Sequence, residues 1–193
     1  MSKNNSKRLD AEFFNQDTLS VAKYLLGKIL CVKNDRKTIR GIIVETEAYR
    51  GEDDLACHAS KGRTKRTETM YQKAGTVYVY MIYGMYFCLN LVTENENYPA
   101  AVLIRAVAPL STLNVDNAGK ISGPGRVCRY FGIDKSFNGL NISSGKIWLE
   151  DWGIKVSQKD ASASKRIGVN YAKHCKDYLW RFILIDKNGE GEI

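Results

Sequence analysis

Histidine and proline are scarce in this chain, with two and three residues respectively among 193. Five cysteines (Cys31, Cys57, Cys88, Cys128 and Cys175) lie far apart with no C-x-x-C pair, and only His58 and His174 could join them. Neither a zinc site nor a disulfide framework has the spacing it needs, so reduced, mostly structural thiols of a cytosolic protein are expected. No run of about 18 apolar residues occurs, and with it the signal for a transmembrane helix is missing. The first eight residues are polar and carry no signal-peptide stretch; residues 1–10 read as a flexible basic arm. There is no internal repeat, low-complexity block or Pro/Gly-rich linker, so residues 1–193 are expected to form one domain.

What is present in excess is positive charge. Lys and Arg total 29 against 21 Asp and Glu, a formal net charge of +8. That surplus suits a polyanionic partner, because phosphate contacts release counterions, although solubility alone also accounts for a basic surface. Composition is otherwise that of a globular protein, 44% hydrophobic and 26% charged.

Local patterns predict an α+β fold dominated by antiparallel sheet. Asp17 can cap a helix through Leu19, Ala22, Leu25 and Leu26, and Gly27 can stop it. Residues 28–33 and 39–48 read as strands around a charged turn at 34–36. Residues 52–73 are polar and aperiodic, a loop long enough to be functional. Residues 76–82 and 85–93 form a hairpin about Tyr83-Gly84, and 100–107 adds another strand. Ser122-Gly-Pro-Gly125 opens a short helix that Gly132 ends. Beyond it, strands are expected at Trp148, 154–156 and 180–185.

Three constellations carry chemistry. In Val44-Glu45-Thr46-Glu47-Ala48-Tyr49, carboxylates two apart on a strand share a face and sit where the polar loop begins. Such a carboxylate can serve as general base to a water; an exposed pair at a sheet edge is the competing reading. Tyr78, Tyr80, Tyr83 and Tyr86 crowd into nine residues, offering flat stacking faces with polar tips. Tyr83, at the hairpin tip, has no core to join and is free to wedge between base pairs, although an aromatic sheet surface is the plainer alternative. Gly62-Arg-Thr-Lys-Arg66 then sets three cations in a loop, and Arg105, Arg126, Arg129 and Lys135 follow downstream. Basic loops interleaved with tyrosines suit a nucleic-acid backbone gripped while a base is unstacked.

Taken together these blocks resemble the alkyladenine/3-methyladenine DNA glycosylases, the methylpurine glycosylase family, in its bacterial form. The resemblance rests on Leu25-Leu-Gly-Lys28, Ile43-Val-Glu-Thr-Glu-Ala-Tyr49, the Gly51…Asp53…His58 loop, Gly62-Arg-Thr64, the block from Tyr78 to Asn90, Ala101-Val-Leu-Ile-Arg105 and Ser122-Gly-Pro124. It implies a single α+β domain: a curved, barrel-like antiparallel sheet with peripheral helices and a protruding hairpin. It further implies that Glu47 activates a water, and that Tyr49 and Tyr80 sandwich an extruded purine with His58 beside it. Asn90 would crowd the amino group of guanine, and Tyr83 would fill the gap in the helix. Thr64, Met85, Arg105, Arg126 and Lys135 would contact the DNA backbone or flanking bases. The implied partner is double-stranded DNA carrying a damaged purine, and the implied protein is a monomer, cytoplasmic and nucleoid-associated. No metal, organic cofactor or lysine Schiff base is expected, hence no strand-cleaving step. A binder that has lost turnover, and a barrel module of the formyltransferase type, are the rival readings. The chain departs from the family at Cys57, at Leu179 and in a shortened stretch at 110–120.

Overall fold

The computed structural model describes residues 6–35, 37–110 and 119–185. Ten strands and three helices occur among them: β1 (Lys7–Arg8), α1 (Ala11–Phe14), α2 (Thr18–Tyr24), β2 (Ile29–Asn34), β3 (Lys37–Arg50), β4 (Val77–Ile82), β5 (Tyr86–Val92), β6 (Ala100–Pro109), β7 (Ile121–Ser122), α3 (Pro124–Phe131), β8 (Ile147–Asp151), β9 (Ala161–Ser164) and β10 (Arg181–Leu184). All pairings are antiparallel, along the path β1-β8-β2-β3-β6-β5-β4, with β10 on β3 and β9, and β7 on β6. The sheet is open, and the helices pack at its periphery, as an α+β domain requires.

Capping explains the helices. The Asp17 carboxylate accepts the Ser20 N–H, meeting a donor that the first turn of α2 cannot satisfy internally, and Gly27 turns the chain at a φ of 80°. α3 begins with Pro124 in its first turn, and the left-handed Gly132 closes it. Its Val127, Cys128 and Phe131 are buried with Leu89, Leu91, Ile104 and Val107 in the main core. Gly41 is small for a reason: a Cβ there would lie 3.2 Å from the Phe131 ring and from Val107.

β3 is the spine of the domain. Its first half pairs with β2 on one side, its second half with β10 on that same side, and β6 runs along the other. The register with β6 slips between Ile43 and Glu45 and again between Glu45 and Thr46. Before the slip Ile43 points into the main core. After it Ala48 does so, and the Thr46 hydroxyl bonds the Ala22 carbonyl of α2. A slip of one residue exchanges the faces of a strand. Glu45 and Glu47 are therefore turned away from the main core, which strict alternation from Ile43 would not have done.

Two local expectations need correction. Residues 154–156 form no strand; they lie unpaired, with Ile154 and Val156 packed against Gly27. Lys7 and Arg8 do not belong to a free arm, since they pair with Asp151 and Glu150, and Leu9 is buried. The aperiodic loop after β3 contains two short 3-10 turns, His58–Lys61 and Glu68–Tyr71. No helix among the described residues is long and apolar enough to cross a membrane.

Candidate active site

The second half of β3 brings Tyr49 to one wall of a cavity of about 680 Å³, with Glu47 buried next to it on the same strand. β4 and β5 supply Tyr78, Tyr80, Cys88 and Asn90, the 3-10 turn supplies His58, and β6 supplies Leu103 and Arg105. The fourth side comes from residues 167–171. A space of this size, lined by tyrosines and aliphatic side chains with a few polar groups, has the dimensions of a small-ligand pocket.

Glu47 is 0% exposed and central in the sheet, so the reading of an exposed pair at a sheet edge is overturned. Its Oε1 accepts the Ile167 N–H at 2.8 Å, and its Oε2 accepts the Tyr49 hydroxyl at 2.7 Å. Arg105 Nε stands 3.5 Å from Oε1. Burial raises the Glu47 pKa, while Arg105, the Ile167 amide and the Tyr49 hydroxyl oppose the rise. Burial and the neighbouring Glu47 hold the Tyr49 phenol well above its ordinary range, which keeps it a donor. Glu47 does not open on the cavity; Tyr49 and Arg105 stand in front of it.

Glu45 organises the charge behind this wall. Its Oε1 lies 3.1 Å from Arg105 Nε and 3.2 Å from Arg181 Nη1, and Lys120 Nζ is 3.9 Å from Oε2. Arg105 is therefore shared between two carboxylates, and Glu45 takes the shorter contact.

The aromatic side is fixed by contact rather than charge. His58 sits edge-on to Tyr80 with centroids 4.4 Å apart, and its Nδ1 is 3.0 Å from the Tyr78 hydroxyl. Burial first, then Arg66 and Lys61, lower the His58 pKa to about 4, so the ring is neutral at pH 7. Asn90 is buried and donates to the Tyr78 carbonyl at 3.2 Å. At the rim, Tyr83, Gly84 and Met85 connect β4 to β5; Tyr83 and Gly84 both have positive φ (51° and 69°), and the Met85 N–H closes the turn on the Ile82 carbonyl at 3.2 Å. Tyr83 is 85% and Met85 66% exposed. Arg126 on α3 and Thr64 on the loop are exposed, and Thr64 lines a shallower hollow that shares His58 and Arg66 with the cavity. Lys135 is exposed in a 3-10 turn and takes no part in lining the cavity. Among the sequence-derived candidates, Glu47, Tyr49, His58, Tyr80, Asn90, Tyr83 and Arg105 thus converge.

Most of the chain matches one family. The model of methylpurine-DNA glycosylases matches residues 12–188. The chain belongs to the methylpurine-DNA glycosylase family. A Clostridium perfringens (strain 13 / Type A) protein bearing the name "Putative 3-methyladenine DNA glycosylase" is 44% identical, over 93% of this chain and 96% of its own length. Proteins of the same name from Bdellovibrio bacteriovorus and Rickettsia felis are each 45% identical, covering 92% of this chain and 95% and 93% of theirs. Family membership makes this chain a DNA glycosylase of base-excision repair, a hydrolase of N-glycosyl bonds.

The structure adds residues that sequence reading passed over. Ile167 gives Glu47 its amide, Tyr171 closes the cavity opposite the hairpin, and Arg166 is buried behind Tyr49. Their stretch, Lys165-Arg-Ile-Gly-Val169, has neither periodicity nor a cluster of like residues. Its only sign was an arginine next to apolar residues. The five cysteines are buried and free, and no group of three or more metal-ligating side chains occurs among the described residues.

Proposed function

We propose that the chain flips a damaged purine out of duplex DNA into the aromatic cavity and hydrolyses its bond to deoxyribose with a water activated by Glu47. The observation that carries this reading is the placement of Glu47: a buried carboxylate of raised pKa, held by an amide and by the phenol of Tyr49, whose ring lines a base-sized cavity. Such a carboxylate is a stronger base than one in water and stabilises positive charge growing on the sugar. Oε2 accepts the Tyr49 hydroxyl and keeps a second lone pair with which to accept a proton from water.

The exposed tyrosine on its tight turn supports base flipping. Tyr83 stands at the cavity on a three-residue loop, in position to enter the stack where a base has left. With His58 neutral, the described cavity has no strong acid to protonate a leaving base. N3- and N7-alkylated purines, 3-methyladenine and 7-methylguanine, are already cationic and leave without one, so they are the substrates best served. Hypoxanthine and ethenoadenine follow at lower rates. The product is an abasic site left uncleaved, by a monomeric enzyme acting with DNA alone and without cofactor.

The test is base release from methylated duplex DNA and from a duplex with a single ethenoadenine, for wild type and Glu47→Gln side by side. Alkali-labile sites are expected from the wild type, with release by the variant reduced by about 10²–10⁴-fold and lesion binding kept. Tight binding without release by the wild type would establish a non-catalytic binder instead.

A further inference from the structure

Arg166 is a charged side chain with no exposure, and its partner Asp54 has 1%. Its Nη1 and Nη2 grip the two Asp54 oxygens, Nη1 also donates to the Ala48 carbonyl at 2.9 Å, and Nη2 to the Cys175 carbonyl at 3.1 Å. The guanidinium lies 4.8 Å from the Tyr49 ring centre and 5.0 Å from that of Trp180. Its Nε–H finds no partner among the described residues.

A buried ion pair at best breaks even against an apolar filler, so stability alone does not call for this one. Its particular property is geometry: the planar fork gathers four separate pieces of chain. These are the end of β3, the loop at Asp54, the turn at Cys175 and the strand entry at Trp180. The very next peptide, Ile167 N–H, holds the Glu47 carboxylate.

We propose that Arg166 is a positioning residue of the glycosylase reaction: it fixes the Ile167 amide against Glu47 and sets the plane in which Tyr49 offers its ring. This rests on the reading of Glu47 as the base. Loss of the fork lets the 166–169 segment drift, and Glu47 loses an amide donor. A carboxylate with one donor fewer holds its proton more tightly, so the active, ionised form appears at higher pH. The charged and titratable groups around Glu47 are Glu45 and Tyr49 on its own strand, Tyr80 on β4, Cys88 on β5, Arg105 on β6, and Arg166 itself. None of the others is altered in the variants below.

The experiment is single-turnover base release against pH from a lesion duplex, for wild type, Arg166→Met, Arg166→Lys and Asp54→Asn. Arg166→Met is expected to lose about 10–100-fold in the release step, as a misplaced catalytic group does. Its acid limb should move up by about one pH unit, the worth of one hydrogen bond to the carboxylate. Arg166→Lys should recover part of the rate, and Asp54→Asn should shift the limb in the same direction by less. A folded Arg166→Met with the wild-type rate and limb overturns the proposal. Should that variant fail to fold, an unmoved limb in Asp54→Asn overturns it, because Asp54→Asn keeps the side-chain volume and both carbonyl bonds of Arg166. A wild type that releases no base, or a Glu47→Gln variant that releases it normally, overturns the reading of Glu47 instead.

Discussion

The hairpin tip and the second half of β3 border one cavity, yet they are built in contrary ways. At the tip, Tyr83 and Met85 are held by one turn and face solvent. At the strand, Glu45 and Glu47 are buried, each held by groups from other parts of the chain: Arg105, Arg181 and Lys120 for one, Ile167 and Arg105 for the other. The tip can move or change without disturbing anything beneath it. The strand cannot, because every group around Glu47 is also a structural tie. The proposed roles match these supports: a wedge that enters and leaves a duplex would need the first kind, and a general base held in fixed geometry would need the second.

Substitutions can break this contrast. The largest effect is expected from Glu45→Gln, which leaves Arg105 and Arg181 without their shared carboxylate. Loss of one member of a buried ion cluster costs about 3–5 kcal/mol, so a denaturant melt should show a large stability loss together with lost base release. Stability kept while release falls would separate the two roles that the strand is said to combine.

His58 lies between the two regions, on the loop, and tests them through pH. Its folded pKa of about 4 is below the ordinary value of 6.5, so between these limits the unfolded chain binds the extra proton. Its contribution is complete above pH 6.5 and is lost as pH falls towards 4, by up to about 3 kcal/mol. Denaturant melts from pH 7 to pH 4 should therefore fall more steeply for wild type than for His58→Gln. Parallel slopes would mean that the ring already titrates freely.

The smallest structural effect belongs to the tip. Tyr83→Ala should leave the melting curve within about 0.5 kcal/mol, as surface changes do. It should weaken binding to a lesion duplex by about tenfold, the order of one lost aromatic stack, and leave binding to a single-stranded lesion unchanged. Equal losses on both substrates would remove the wedge.

How much of this was legible in the sequence follows the same division. The tip was readable because its cause is local: Tyr83-Gly84 between two β-rich runs can hardly be anything but a tight hairpin. α2 and α3 were readable for the same reason, with Asp17, Gly27, Pro124 and Gly132 as their signals. The carboxylate pair was visible as a pair, but its burial was not, because that depends on a register slip set by the partner strand. Ile167 meets Glu47 across 120 residues of chain, and Arg166 meets Ala48 and Tyr49 across a similar distance, and no local signal marks such meetings. β9, Ala161-Ser-Ala-Ser164, escaped because small residues leave no hydrophobic rhythm, and its pairing with β10 decides the matter. The apolar 154–156 stretch misled in the opposite sense, having strand composition without a free strand to join.

The five buried thiols have a bearing on the setting in which such an enzyme works. Burial pushes Cys31 and Cys57 up to about 12 and Cys88 to about 11, and raises Cys128 as well. A thiol reacts with electrophiles as its thiolate, and at neutral pH these four have almost none to offer. The agents that methylate purines also attack protein sulfur. Four thiols kept neutral and out of reach are spared the alkylation that such agents inflict.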